Sequence, residues 1–301
     1  MTDLSIDKNM GKSMHKKASW RDYYEMCKPR VVMMMIATSL VGMFLAVPGM
    51  VPVSVLIWGN LGIALVASAG AVINHLIDHR IDTIMQRTLK RPIPQGKVTP
   101  RQALIFAMAI CLLGMLILVF LVNPLCAWLT LASFIGYAII YTGYLKRATP
   151  QNIVIGGLSG AMPPLLGWTA VTGSVDPGGL LLVLIIFAWT PPHFWPLAIH
   201  RKKDYAKTDI PMLPVTHGDA LTKLHSLLYT IIMLIVSLLP YLTGMSGILY
   251  LLAALVLGLG FLYHSIELMI GSKLTSAMKT FRYSIFYLLA LFAALLIDHY
   301  L

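Results

Sequence analysis

Nine runs of about 20 mostly apolar residues recur along the chain, near 31–50, 54–77, 102–122, 124–144, 152–172, 179–199, 226–244, 247–268 and 281–299, a length that matches the hydrocarbon core of a bilayer. Soluble cores are assembled from shorter pieces, so these runs restrict the chain to an integral membrane protein. Composition agrees: 58% of the 301 residues are hydrophobic and 12% are charged, whereas soluble domains carry about 25% charged residues. Backbone inside a bilayer must satisfy its own hydrogen bonds, and the runs lack the period-two alternation of barrel strands. The expected fold class is all-α, with nine transmembrane helices.

Lysine and arginine set the expected orientation. All 23 lie in the N-terminal stretch to Arg30, the 78–101 loop, Lys146 with Arg147, the 200–224 loop and the 270–282 loop. The intervening loops, around Pro52, Asn123, Asp176 and Gly244, carry none. The positive-inside rule then puts the N-terminus in the cytoplasm and Leu301 outside. A net charge of +11 gathered on one face suits anionic membrane lipids and gives no reason to invoke nucleic acid. Residues 1–22 read as a cytoplasmic tail, without the apolar segment and small-residue cleavage site of a signal peptide. Residues 23–301 form the expected membrane domain. Cys27, Cys111 and Cys126 make no CxxC pair, which argues against a disulfide framework or a zinc site.

Polar chemistry collects at the end of the second run. Asn74, Asp78 and Asp82 recur every four residues, so on a continuing helix they form one stripe of oxygen donors. Carboxylates at a membrane boundary need a cation or a basic partner. Hard oxygen ligands suit Mg²⁺, which keeps water ligands and is shared between one or two carboxylates and a substrate phosphate. The plainer alternative pairs Asp78 and Asp82 with Arg80, Arg87 or Arg91 in a solvated loop. A second acidic segment, with Asp204 and Asp209, lies four helices further on and hence on the same membrane side. Arg201, Lys202 and Lys203 beside it also fit the role of positive-inside anchors.

Pro163 and Pro164 are expected to interrupt the fifth helix, and Pro191, Pro192 and Pro196 the sixth; such breaks line cavities where freed carbonyls find partners. His193, inside the second proline group, suits either a porphyrin iron or a hydrogen bond to freed backbone. Gly156 and Gly160 permit close helix contact. A cation-coupled transporter also uses carboxylates and broken helices, but near the bilayer midplane rather than at one rim.

Asn74, Asp78 and Asp82 resemble, position by position, the NxxxDxxxD motif of the UbiA superfamily of intramembrane prenyltransferases. Further strings are similar to the branch of that superfamily that farnesylates protohaem IX: Met85-Gln-Arg87-Thr88, Arg91-Pro92, Tyr141-Thr-Gly-Tyr-Leu-Lys146-Arg147, Pro163-Pro164-Leu-Leu-Gly167-Trp168, Lys203-Asp204-Tyr205 and Ile210-Pro211-Met212-Leu213-Pro214. The resemblance runs from about residue 23 to the end of the chain. It implies nine helices around a central cavity in a bacterial inner membrane, with an active site facing the cytoplasm. It also implies transfer of a farnesyl group from farnesyl diphosphate to the 2-vinyl group of haem B, giving haem O. Asn74, Asp78 and Asp82 would be the catalytic metal ligands, with Mg²⁺ as cofactor, and Arg87, Arg91, Lys146 and Arg147 would take the diphosphate. His193, Arg201 and Lys202 would face the haem, with aromatic walls including Tyr137, Tyr141, Trp168, Phe194 and Trp195. A downstream haem-modifying enzyme or terminal oxidase is the implied partner. One departure stands out: Asp204 and Asp209 are five apart, where the superfamily often has DxxxD, so Asp209 fits a second metal site least well. The competing acceptor is an aromatic quinone precursor, which would keep the diphosphate site and change only the acceptor wall.

Overall fold

The computed structural model describes residues 18–208, 210–271 and 274–301. Every regular element among them is helical. We number the main helices α1 (Trp20–Met26), α2 (Pro29–Leu45), α3 (Val53–Ile77), α4 (Pro100–Leu121), α5 (Pro124–Ala148), α6 (Asn152–Thr172), α7 (Pro177–His200), α8 (Gly218–Leu242), α9 (Ile248–Ile270) and α10 (Leu274–Tyr300). Eight of these, α3 to α10, are each long and apolar enough to cross a membrane, while α1 and α2 form a pair bent by 52°. The chain is a multi-pass integral membrane protein. The first expected run, 31–50, is shorter in the fold: α2 begins at Pro29 and stops at Leu45, just before Pro48 and Gly49.

Helix starts obey local chemistry. Ser19 and Asp22 form a capping box that opens α1, with Ser19 N donating to Asp22 Oδ2 at 2.9 Å. The expected boundary between a tail and a membrane domain at residues 22 and 23 therefore falls inside a capped helix; residues 1–17 of that tail lie outside the described residues. Thr99 and Gln102 repeat the device at α4, with Pro100 at the first helical position, where its missing N–H costs nothing. Asn123 caps α5 by accepting from Cys126 N at 2.9 Å, and its amide reaches across to the Thr169 carbonyl at the far end of α6.

Helices in lipid gain little from burying apolar surface against one another, so close packing and interhelical hydrogen bonds must hold them. Gly42 of α2 lies against Pro164 of α6 so closely that a Cβ there would collide with the proline carbonyl. Trp189 Nε1 donates to Ser284 O at 2.8 Å, tying α7 to α10, and Tyr250 OH donates to Ser237 O at 2.6 Å, tying α9 to α8. The last helix returns to the first, with α10 packed on α2 and a His299 ring nitrogen bonded to the Val47 carbonyl at 3.0 Å.

The prolines act differently from one another. Helix α6 does break, at Met162, with Pro163 opening its second half. Helix α7 does not: it runs continuously through Pro191, Pro192 and Pro196, contrary to the expected interruption. Packing of α7 against α10 and α8 holds the helix in register despite the lost backbone donors.

Candidate active site

Helix α3 ends at Ile77, and one further turn, His79–Asp82, carries its axis onward. The backbone bonds Asp78 N to Asn74 O at 3.0 Å and Asp82 N to Asp78 O at 2.9 Å keep a helical rise through the break. Asn74, Asp78 and Asp82 therefore share one side and line a chamber of about 170 Å³. All three are buried, at 5%, 2% and 3% exposure. Asp78 and Asp82 are thus not in a solvated loop, although Asp82 does pair with Arg91 there.

Each of the three holds a separate cation. Lys28 Nζ donates to Asn74 Oδ1 at 2.5 Å, Lys146 Nζ to Asp78 Oδ2 at 2.6 Å, and Arg91 Nη1 to Asp82 Oδ2 at 2.6 Å. Asn74 Nδ2 closes the row by donating to Asp78 Oδ2 at 2.8 Å and to Thr142 Oγ1 at 3.3 Å. Asp78 Oδ1 is buried with no hydrogen-bond partner among the described residues. A fully desolvated carboxylate oxygen left unpaired is costly, so this atom marks a place for a ligand.

Lys146 arrives through an irregularity in α5. Residues Gly136–Leu145 adopt the wide π-helical turn, in which Thr142 Oγ1 donates to Tyr137 O at 2.9 Å. Such turns are rare and gather at functional sites. The extra residue per turn rotates the remainder of α5, bringing Lys146 against Asp78 and stacking Tyr137 on Tyr141 with ring centroids 5.9 Å apart. Tyr141 lies over Gly156 of α6, where any Cβ would strike the ring. Asn152 then fastens the next turn by donating to Thr149 O at 2.8 Å.

Tyr137, Tyr141, Phe194, Arg87, Tyr205, Met85 and Met212 complete the chamber wall. Burial pushes the Tyr205 phenol above its usual value, so it stays protonated and able to donate. A second, almost wholly apolar cavity of about 200 Å³ lies deeper, between α2, α3, α5 and α6, lined by residues including Val32, Met35, Ile63, Val66, Phe134 and Leu166. Lys28 and Tyr137 belong to the walls of both spaces, so the polar chamber meets the apolar one between them.

Some expected site residues lie elsewhere. Arg147 is off the chamber wall and donates to the Ile77 carbonyl at 3.3 Å, at the end of α3. Asp204 faces Arg201 at 3.8 Å outside the chamber, and Asp209 lies outside the described residues. Lys202 pairs with Asp219 at 2.8 Å at the rim. His193 is sandwiched between Trp189 and Phe281, at 4.1 and 4.7 Å between centroids, with Nδ1 bonded to Ser284 Oγ at 2.6 Å. Trp168 and Trp195 are absent from the chamber wall: the first donates to Asp176 at the opposite end of the helices, and the second packs on His225 and Tyr229. Sequence reasoning missed Lys28, Thr142 and Tyr205 as parts of the site; Lys28 just before an apolar run reads only as an anchor.

Among the described residues no three His, Cys, Asp or Glu side chains converge as a cage for a metal. Two carboxylates and an amide oxygen nonetheless fit Mg²⁺, which binds through one or two carboxylates and completes its shell with water and phosphate. The unpartnered Asp78 Oδ1 is the atom that fits first.

Known proteins share this arrangement of helices. A structure described under digeranylgeranylglyceryl phosphate synthase superposes with a TM-score of 0.79 at 19% identity, covering 93% of this chain and 98% of that one. A UbiA homologue from Archaeoglobus fulgidus, bound to GPP and Mg²⁺, gives 0.64 at 16% identity over 91% and 99%. In sequence, a Marinobacter nauticus protein named protoheme IX farnesyltransferase is 64% identical over 282 residues, covering 94% of this chain and 93% of its own. Residues 35–294 match the UbiA prenyltransferase family. With that match spanning most of its length, and with the helical arrangement in common, the chain belongs to the UbiA prenyltransferase family.

Proposed function

We propose that the chain transfers the farnesyl group of farnesyl diphosphate to the 2-vinyl group of haem B, with water completing the hydroxyethylfarnesyl side chain of haem O. The observation that carries the reaction type is the junction of a small, cation-lined polar chamber with an apolar cavity. A prenyl diphosphate has the same two parts in the same order. The haem acceptor is supported by the 64% identity to a protein named for that reaction.

In this reading Asn74, Asp78 and Asp82 hold Mg²⁺, and the binding of both GPP and Mg²⁺ by the Archaeoglobus homologue supports it. When bound, the ion supplies Lewis-acid stabilisation of the diphosphate and a template for its oxygens. Arg87, Arg91 and Lys146 take the remaining phosphate oxygens by charge-assisted hydrogen bonds; Arg147, on the Ile77 carbonyl, fixes the end of α3 and contributes charge from outside the chamber. As the C1–O bond breaks, its electron pair leaves with the diphosphate, and the allylic cation faces the rings of Tyr137, Tyr141 and Phe194. Aromatic faces attract cations, and rings packed around the cation would keep water from quenching it early. Arg201 and Lys202 at the rim are suited to the haem propionates, and Asp204 and Asp209 belong to the same stretch of sequence as a second acidic segment. The charge distribution supports nine membrane crossings, counting α1 and α2 as one, with the N-terminus and the chamber on the cytoplasmic side of a bacterial inner membrane.

The test is reconstitution of the full chain in lipid with farnesyl diphosphate, Mg²⁺ and either haem B or an aromatic quinone precursor. A pigment more hydrophobic than haem B, with the added mass of a hydrated farnesyl group, is the expected product. Prenylation of the quinone precursor with haem B untouched would overturn the acceptor assignment. No diphosphate release with either acceptor would overturn the enzymatic reading.

A further inference from the structure

Lys28 is the one non-glycine residue with positive φ among the described residues, at φ 51° and ψ 58°. A left-handed backbone is unfavourable for an L-residue, whose Cβ crowds the following carbonyl, and glycine would avoid the cost. A lysine here is strained locally, and the strain has a geometric result. The bend it makes between α1 and α2 sends the side chain inward, 46 positions along the chain from Asn74, to the amide oxygen it contacts. Its ammonium stands where the two cavities meet, whereas Arg91 and Lys146 line only the polar one.

That position has a specific meaning for a prenyl diphosphate. With the tail in the apolar cavity and the metal-binding row around the outer phosphate, the phosphate joined to C1 lies at the junction. Building on the diphosphate reading of the chamber, we propose that Lys28 joins Arg87, Arg91 and Lys146 as a fourth cation of the site, leaving Asn74 Oδ1 to hold the phosphate that bears the breaking C1–O bond. When that bond breaks, the electron pair goes to the oxygen that linked C1 to this phosphate, and a compact ammonium beside it meets charge that is larger in the transition state than in the ground state. Release of Asn74 Oδ1 in the same movement frees the amide oxygen for the metal. The row of three cations on three donors is thus an exchange arrangement, in which each cation passes from a protein oxygen to a phosphate oxygen.

The experiment uses the full chain in lipid and compares Lys28→Met, Lys28→Arg and Lys28→Gly with wild type. It reads kcat and KM for farnesyl diphosphate, the Kd of the slowly ionising S-farnesyl thiodiphosphate, and thermal melting. Lys28→Met is expected to lower kcat roughly 100-fold, the scale of one lost preorganised charge partner, while the Kd of the thio analogue changes by less than about tenfold. Lys28→Arg recovers part of the kcat. Lys28→Gly relieves the backbone, melts no lower than wild type and still loses turnover, which separates the ammonium from the bend. A kcat for Lys28→Met within about twofold of wild type overturns the proposal, as does a loss that appears only in KM or only alongside lowered melting. Asp78→Asn is the control for the underlying reading: its inactivity beside an active Lys28→Met sinks only the role of Lys28, whereas full activity of both sinks the diphosphate site itself.

Discussion

Lys146 Nζ lies 2.6 Å from Asp78 Oδ2, with the carboxylate side chain 3% exposed and the lysine 18% exposed. The π-helical turn in α5 brings them together across 68 residues of chain. An ion pair this sheltered behaves asymmetrically: removing one partner leaves an uncompensated charge and costs far more than the pair contributes.

Lys146→Met should therefore destabilise the ligand-free protein by about 3 kcal/mol. Adding Asp78→Asn to the same chain should return part of the loss, since the two effects are not additive. Mg²⁺ with inorganic pyrophosphate should raise the melting temperature of wild type more than that of Lys146→Met/Asp78→Asn. Thermal melts in detergent measure all three, and equal melting of the single and double variants would deny the ion pair any part in stability.

Asp82→Asn and Asp78→Asn should each lower turnover by roughly 100-fold or more, the scale of one lost preorganised electrostatic partner, with folding retained. Asp82→Asn should also need more Mg²⁺ for half-maximal rate, because one carboxylate of the ligand set is gone. Chelation with EDTA should stop wild-type turnover and Mg²⁺ should restore it. An Mg²⁺ titration of initial rates decides this, and an unchanged titration midpoint in Asp82→Asn would exclude Asp82 as a ligand.

The legible part of this architecture is set by strong, local signals. Runs the length of a bilayer and four-residue spacing of Asn74, Asp78 and Asp82 are visible in one dimension, and both carry into the fold. Lys28 is not legible as a site residue, because a left-handed turn, not a periodicity, aims it at Asn74. The π-helical stretch is equally hidden: Gly136 to Leu145 reads as ordinary helix, and only contact with Asn74 and Gly156 shows what its extra residue per turn accomplishes. The prolines of α7 mislead in the other direction, since a break that is local in sequence is overridden by packing.

Gly156 gives a prediction about the chamber wall. An alanine methyl there would strike the Tyr141 ring, and overpacking of this kind costs about 1–3 kcal/mol. Gly156→Ala should lower melting and raise KM for farnesyl diphosphate as Tyr141 is pushed into the chamber. Gly156→Ala combined with Tyr141→Leu should recover melting without recovering the full rate, because space returns but the aromatic face does not. Wild-type melting in Gly156→Ala would show that the ring moves aside freely.

His193 has two separable roles in its surroundings, a stack between Trp189 and Phe281 and a hydrogen bond to Ser284. Two aromatic contacts, each worth about 0.5–1.5 kcal/mol beyond their buried area, make the ring a structural member of the α7–α10 interface. His193→Phe keeps the stack, so it should melt near wild type, whereas His193→Ala should melt well below it. If the imidazole also serves the haem, His193→Phe should raise KM for haem B while leaving KM for farnesyl diphosphate and the Kd of its thio analogue unchanged. Steady-state kinetics with each substrate varied in turn distinguishes the two: a KM for haem B equal to wild type in His193→Phe leaves the histidine only its place between two rings.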